Sequence, residues 1–392
     1  MIGLADGYYE AGGGTGARAQ GGQAGVSGEQ SLGGGTVAGD QGQGGTTTGD
    51  GGSGGLPNAG SSGSGGVSNV LQIPAGKLVF QRFTSYDAGD SQMFVVKFPE
   101  ATMGKEIGAT YGLCAPYNGI FSPDGTHLVV AATLRGGSGT CPVLDRNQLE
   151  LFILDLDNPP NKQQVTSNGI PDEDPQYSPT GDAILFKHNG YLARWVVRNT
   201  TFVETCANPM GSYCFHHSGP EQSKPVTDGT QVCYANSYDN DTDIYCFDLT
   251  AGLTGVDISL DANRMLAAGI GNISESRPVV AKAAANAPPW LYYTRWRSVA
   301  NPVNQILRKP MNALQGPAVA AQFCSEEAAS CADPYGLDDH DTVVFSSNTT
   351  GHGGSDLFIG NFSQPDIKSL DEWLPGVNTP NQELGATFWA AP

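Results

Sequence analysis

The chain has 392 residues and a formal net charge of −19, with a sequence pI of about 4.5. A strongly acidic chain is poorly suited to the phosphate backbone of nucleic acid, which binds basic surfaces, so we expect no nucleic-acid partner. The sequence contains no run of 18 apolar residues, which makes a membrane-spanning helix unexpected.

The N-terminal segment differs in composition from the rest. Residues 1–68 hold 26 of the 54 glycines, and Ser, Thr, Gln and Ala fill most of the remainder. Such a segment has too little apolar surface to offset the entropy lost on ordering. We therefore predict that residues 1–70 are a disordered Gly/Ser-rich tether and that residues 71–392 form the folded domain.

The stretch 117–157 sets the pattern for the folded part. An apolar segment runs into the tight-turn signal Ser122-Pro123-Asp124-Gly125, in which Pro presets φ and Gly accepts the positive φ that follows. Apolar strands are predicted after it at 128–131 and 149–156. A short antiparallel unit of this kind is typical of one blade of a β-propeller.

Related hairpins recur along the chain at 78–96, 177–197, 226–247, 290–307 and 337–359. Their spacing of roughly 50–55 residues suits four-stranded blades. The first hairpin lacks a preceding strand, and the apolar C-terminal segment 383–389 lacks a following hairpin. We therefore predict an all-β, six-bladed propeller in which 384–389 closes the ring as the innermost strand of the first blade.

These motifs also resemble a known family. Phe-Ser-Pro-Asp-Gly at 121–125, followed by Leu-Val-Val and a later Leu-Phe-Ile-Leu-Asp-Leu, resembles the PD40 (WD40-like) repeat of TolB-type propellers. The segment 346–358 is similar to the variant found in bacterial cell-envelope proteins. The resemblance covers roughly 75–392 and implies a TolB-like six-bladed propeller. A Gly-rich tail stands where TolB has an additional N-terminal domain.

The chain's eight cysteines all lie outside the tail, and none forms C-x-x-C, so zinc-ribbon and thioredoxin sites are not indicated. Their local spacing predicts disulfides, with reduced buried thiols as the alternative, and leaves the pairing of Cys114 and Cys141 open. Disulfides predict a periplasmic, cell-surface or secreted location, although residues 1–20 lack the basic and apolar regions of a signal peptide. The predicted bridges are Cys206–Cys214, Cys233–Cys246 (facing residues of one hairpin) and Cys324–Cys331.

Loop lengths indicate where binding should occur. We label the strands of a blade a to d from the centre outward, so that a–b and c–d connections lie on one side of the ring and b–c and d–a connections on the other. The longest insertions, 135–147, 206–220, 297–303 and 322–334, fall on the second side, here called the loop-rich side. Long loops on a rigid scaffold commonly carry binding sites.

Candidate reactive groups on that side are few. His216, His217 and His352 are weak binding candidates, because exposed histidines are more often solvated than metal-bound. Asp239, Asp241 and Asp243 alternate as in a calcium loop but lack the Gly and Glu of an EF-hand, so a polar hairpin tip is the simpler interpretation.

Two further groups have alternative interpretations. We interpret the acidic run 172–174 as a solvated crossing between blades. The aromatic residues of blade five suggest core packing, with a glycan-stacking patch as the alternative; they are Trp290, Tyr292, Tyr293 and Trp296.

Together these patterns predict a non-catalytic extracytoplasmic scaffold, without a cofactor, that binds a protein or glycan on its loop-rich side and is tethered to the envelope by its N-terminal arm. The alternative is a lyase-type, polysaccharide-active enzyme, which needs a base and a charge neutraliser on one face. Two or more histidines within metal-binding distance of one another would favour the enzyme, from the set His188, His216, His217 and His352.

Overall fold

In the computed structural model the described residues are 71–85, 88–137, 139–141, 144–197, 201–203, 221–238, 241–248, 256–257, 275–281, 288–296, 304–324, 330–337, 341–349 and 354–391. Leu71–Pro392 is one compact unit. The predicted tether, residues 1–70, lies outside the described residues, so its disorder and its boundary remain predictions.

The described strands form six four-stranded antiparallel sheets, each of which is one propeller blade. The predicted all-β, six-bladed fold is confirmed. Blade 1 combines β1 (Gly76–Phe83), β2 (Gln92–Phe98) and β3 (Thr102–Glu106) with the C-terminal strand β24 (Gln382–Ala390), in the order β24-β1-β2-β3.

The other blades follow in chain order, from the centre outward. Blade 2 is β4 (Leu113–Phe121), β5 (His127–Leu134), β6 (Glu150–Asp155) and β7 (Lys162–Gln164). Blade 3 is β8 (Asp172–Tyr177), β9 (Ala183–His188), β10 (Tyr191–Val196) and β11 (Thr201–Val203). Blade 4 is β12 (Glu221–Thr227), β13 (Gln231–Tyr238), β14 (Asp241–Asp248) and β15 (Val256–Asp257). Blade 5 is β16 (Glu275–Ala281), β17 (Trp290–Arg295), β18 (Gln305–Pro310) and β19 (Val319–Ala320). Blade 6 is β20 (Cys331–Gly336), β21 (Thr342–Ser347), β22 (Asp356–Asn361) and β23 (Ile367–Ser369).

Helical structure in the described residues is limited to single turns. The helix α1 (Ile107–Tyr111) is capped by Glu106, which accepts a 2.6 Å hydrogen bond from the backbone N–H of Gly108. Three 3-10 turns lie at Arg146–Gln148, Met311–Ala313 and Leu370–Glu372. None of these elements has the length and apolar character needed to cross a bilayer.

The ring closes where the sequence predicted. Strand β24 pairs antiparallel with β1, and Leu78 faces Phe388 in the register. Two side chains of β24 also reach blade 2, since the Thr387 hydroxyl donates to the Gly119 carbonyl at 2.8 Å and the Trp389 indole N–H to the Pro123 carbonyl at 3.0 Å. The closing strand therefore completes one blade and contacts the next.

The core lies between neighbouring blades. Val79 and Met93 of blade 1 pack in one cluster with Leu128, Val130 and Phe152 of blade 2. The alternate residues of the blade 2 strands β5 and β6 face blade 3 and pack in a second cluster. A sheet buried on both faces needs a continuous apolar strand, which explains why the run 128–132 is fully buried.

The a–b turns of successive blades pack against one another. Each turn glycine has a positive φ, at +69° for Gly125, +72° for Gly181 and +97° for Gly229, which glycine adopts at little cost. A Cβ on Gly181 would lie 3.3 Å from Pro123 Cδ, and one on Gly125 only 2.3 Å from the Trp389 ring. At the closure, Trp389 therefore takes the place that a turn proline of the preceding blade has elsewhere.

Three disulfides lie within the described residues. The predicted bridges Cys233–Cys246 and Cys324–Cys331 are present, and the pairing left open is Cys114–Cys141. The predicted Cys206–Cys214 bridge lies outside the described residues. Two of the three bridges fix loop-rich-side connections to the innermost strands β4 and β20.

Candidate functional site: the central channel

The innermost strands β4, β8, β12, β16, β20 and β24 share one backbone irregularity. Each has a register shift against its partner strand, and within or beside each shift one residue adopts a positive φ of +47° to +61°. A β-bulge of this kind leaves a residue unpaired and redirects its side chain. The six residues, here called the channel ring, are Asn118, Asp174, Lys224, Arg277, Asp333 and Gly385.

Proline supports this bulge in four of the six strands. It follows directly after Asp174, Lys224, Arg277 and Asp333. Proline has no N–H, so an interrupted ladder leaves no unsatisfied donor at that position. A positive φ is readily adopted by Asn, Asp and Gly, whereas at Lys224 and Arg277 it costs on the order of 1–3 kcal/mol. Strain repeated at equivalent positions marks the ring as a candidate functional feature.

The channel ring lines a cavity on the propeller axis. All six innermost strands contribute to its wall, and it contains about 510 Å³ of empty space, which includes its open mouth. From the ring the wall continues along the innermost strands towards the a–b turns, through Ile120, Gln176, Val226, Val279 and Thr387. Small-molecule pockets typically have mostly apolar walls with a few polar groups, as this wall does.

Neighbouring ring members are connected by hydrogen bonds and ion pairs. The Asn118 amide donates to Asp174 Oδ1 at 2.6 Å, and the backbone N–H of Lys224 donates to Asp174 Oδ2 at 3.2 Å. On the far side, the Arg277 guanidinium pairs with the Asp333 carboxylate. Two carboxylates and two cations give the ring a formal charge of zero.

Neighbouring groups stabilise the ionised form of Asp333. Burial disfavours the ionised form of this carboxyl group. The positive charges of Arg277 and Lys224 and a backbone hydrogen bond from Gly385 outweigh burial, so the pKa of Asp333 lies below its ordinary value. Lys224 and Arg277 therefore act together on one carboxylate.

A second layer of paired side chains lies on the loop-rich side of the ring. Residues directly opposite on the a and b strands pair as Glu383 with Arg82 at 2.7 Å, Asp172 with His188 at 2.6 Å, and Glu275 with Arg295 at 2.7 Å. Each of the three carboxylates is at most 1% exposed. In blade 6 the equivalent position is Cys331, in the disulfide to Cys324.

The pKa of Glu383 shows the cost of this burial. Desolvation raises it, and the opposing hydrogen bonds from Thr379 and Arg82 do not fully compensate, so the pKa remains above its ordinary value. This pair connects residues 301 positions apart in the chain. The Arg82–Glu383 pair therefore sets the position of the closing strand, while its net electrostatic contribution to stability is small.

The predicted solvated crossing at 172–174 is wrong. These residues begin strand β8 instead, and Asp172 and Asp174 are 0% and 6% exposed. Hydrophobic pattern alone could not find buried carboxylates. The recurrence of a polar residue followed by Pro at the equivalent position of four blades was the available signal.

Most of the candidates named from sequence lie elsewhere. His216, His217, His352, Cys206, Cys214 and Asp239 are outside the described residues. Asp241 and Asp243 belong to strand β14. No group of three or more His, Cys, Asp or Glu residues with metal-binding geometry occurs in the part of the chain that the structure describes. His188 is buried beside Asp172, and the comparison with the other three histidines stays untested.

The aromatic residues of blade 5 mainly belong to the core. Tyr292 and Tyr293 are 0% exposed. Trp290 packs against Arg308, with 4.6 Å between the guanidinium carbon and the ring centroid. The indole of Trp296 donates to Ser276 at 2.7 Å and lies 5.6 Å from the guanidinium of the ring residue Arg277.

Comparison with known proteins supports the fold. No protein-family model and no curated protein matches the sequence. Among solved structures, TolB from Acinetobacter baumannii matches with a TM-score of 0.55 and 12% identity over 81% of this chain and 68% of its own. Hydrazine synthase from Kuenenia stuttgartiensis matches with a TM-score of 0.56 and 11% identity over 80% of this chain but only 47% of its own. An oligogalacturonate lyase from Vibrio parahaemolyticus matches with a TM-score of 0.41 and 12% identity over 76% of this chain and 74% of its own, which is too low to support an argument about activity.

The fold and channel define a six-bladed β-propeller closed by its C-terminal strand. Within that class the chain is a TolB-like propeller. The blades are consistent with the predicted PD40 repeats. At these levels of identity the likeness shows the fold alone, and function must be argued from the chain's own residues.

Proposed function

We propose that this protein is a non-catalytic binding scaffold that acts outside the cytoplasm and takes a protein or glycan ligand on its loop-rich side. The asymmetry of its connections carries the proposal. On the loop-rich side the connections include 135–149, 204–220, 258–274 and 370–381, whereas the longest connections between described strands on the opposite side are 282–289 and 311–318. Interlocked sheets that present long loops on one side form a rigid platform for binding.

Disulfides support both the location and the platform. Cys114–Cys141 and Cys324–Cys331 each attach a loop-rich-side connection to the start of an innermost strand. Such bridges persist in oxidising compartments. We infer a periplasmic, cell-surface or secreted location, with residues 1–70 as the tether to the envelope.

Site-specific photo-crosslinking in the producing cell tests the binding side. A photoreactive residue at Asn147, exposed on the loop-rich side, should form adducts with a distinct partner. The same residue at Thr180, exposed in an a–b turn, is the matched control and should form none. Adducts from Thr180 alone would overturn the choice of side.

Purified full-length protein tests the non-catalytic character. Uronate-containing and neutral glycans are incubated with it, and binding and chain length are followed together by affinity electrophoresis and mass spectrometry. The scaffold predicts unchanged glycan length, whether or not a glycan binds. Cleavage of a uronate-containing glycan that leaves an unsaturated sugar end without addition of water would instead establish the lyase alternative. Alkylation of thiols in freshly lysed cells checks the location, since reduced Cys233 and Cys246 would contradict it.

A further inference from the structure

One cation of the channel ring has no side-chain hydrogen bond or ion pair within the part of the chain that the structure describes. Asn118 is bonded to Asp174, and Arg277 to Asp333. The backbone N–H of Lys224 binds Asp174, but its ammonium makes no hydrogen bond or ion pair with the described residues. Lys224 is half-buried, and its charge acts on Asp333 from within the ring. A cation in this setting keeps its hydrogen-bond donors available to a ligand.

The ring also has one position without a side chain. Gly385 belongs to blade 1 and Lys224 to blade 4, so the two lie on opposite sides of the six-membered ring. A Cβ on Gly385 would meet Gln81 only at an ordinary contact distance of 3.4 Å. Five residues with side chains adopt the same positive φ at the other ring positions. The backbone therefore does not by itself require glycine, and Gly385 keeps this part of the channel open.

The walls next to the ring are apolar. Ile120, Val226 and Val279 line the cavity together with the prolines that follow four of the ring residues. A ligand that fits would have one anionic group for Lys224 and a short apolar body for these walls. A cationic ligand group would be repelled by Lys224. Both ring carboxylates already have partners, since Asp174 accepts hydrogen bonds and Asp333 pairs with Arg277.

We propose that the central channel binds a small monocarboxylate, whose carboxylate accepts hydrogen bonds from the Lys224 ammonium in the space opposite Gly385. Its aliphatic body lies against the Ile120, Val226 and Val279 walls. This site is separate from the loop-rich side, because the apolar wall extends from the ring towards the a–b turns. Its ligand is thus distinct from the protein or glycan of the proposed function, and either proposal can fail alone.

Calorimetric titration of the full-length protein with sodium butyrate tests this site, with butyramide as the neutral isostere. Butyrate should bind saturably with one site per chain. Butyramide should bind at least tenfold more weakly, because its carbonyl oxygen can still accept a hydrogen bond from the ammonium but carries no negative charge to pair with it. Lys224→Met should weaken butyrate binding at least tenfold. Lys97→Met removes the same charge from an exposed position on β2 and should leave binding unchanged.

A second variant keeps the test decisive if Lys224→Met does not fold. Gly385→Asp uses a residue that tolerates the positive φ, as Asp174 and Asp333 do, and places a carboxylate in the open position. It should abolish butyrate binding, while a thermal melt confirms folding. The proposal is overturned if wild type shows no saturable butyrate binding, if butyramide binds equally well, or if butyrate binding survives in every folded variant.

Discussion

Removal of the closing strand should unfold the propeller. A chain that ends after Pro380 lacks β24, in which Leu384 and Phe388 are 4% and 5% exposed. Loss of a buried Phe costs about 3–5 kcal/mol and loss of a buried Leu about 2–5 kcal/mol. Together they approach the 5–15 kcal/mol that stabilises a typical domain. The truncation also leaves β1 as an unpaired edge, which favours aggregation.

Gel filtration and guanidinium unfolding followed by circular dichroism measure the outcome. We expect the truncated chain to aggregate or to show no cooperative transition. Phe388→Ala in the full chain is the milder companion and should remain folded with a loss of about 3–5 kcal/mol. A soluble truncated chain with a cooperative transition would refute the reasoning that closure by β24 maintains the ring.

Three further predictions concern the turns, the ring and the tether. Gly125→Val should lower the free energy of unfolding in urea by about 2–5 kcal/mol, because it combines positive-φ strain with a clash against Trp389. Gly139→Val is the control for strain alone, since Gly139 has a similar φ of +75° and open space around it. Equal losses in the two variants would exclude a contribution from the clash. The stabilisation from ionised Asp333 is complete above its ordinary pKa of 3.8 and disappears as pH falls through its lower folded pKa. The melting temperature of wild type should thus fall more steeply below pH 3.8 than that of Asp333→Asn, and parallel curves would contradict the shift. Deletion of residues 1–70 should leave the melting temperature nearly unchanged, and a loss of several degrees would show that the segment docks on the propeller.

Much of the fold could be predicted from sequence because it depends on local, repeated signals. The turn at 122–125 and the apolar run at 128–131 define a hairpin by themselves, and copies of that hairpin fix the number of blades. Closure of the ring by 384–389 was inferred by elimination, because the first hairpin lacked a strand and this segment lacked a hairpin. Each of these inferences uses hydrophobic period and turn chemistry, which a single sequence displays.

The candidate site depends on contacts that a single sequence does not display. Asp174 receives a hydrogen bond from Asn118, 56 positions earlier, and Arg277 pairs with Asp333, 56 positions later. Such partners come from different blades. Charged residues usually lie at the surface, and that expectation led to the wrong interpretation of 172–174. A β-bulge that turns polar side chains onto the propeller axis is a tertiary feature.

The pairing of the first and last strands also sets an order of events during synthesis. A ribosome delivers the chain from the N-terminus, and domains begin to fold as they emerge. Strands β1, β2 and β3 appear first, but the partner of β1 is β24, and the Arg82–Glu383 pair joins positions 301 apart. Blade 1 therefore stays incomplete until β24 has left the ribosome. Under the proposed location outside the cytoplasm, blade 1 of an exported chain can close only after β24 has also crossed the membrane.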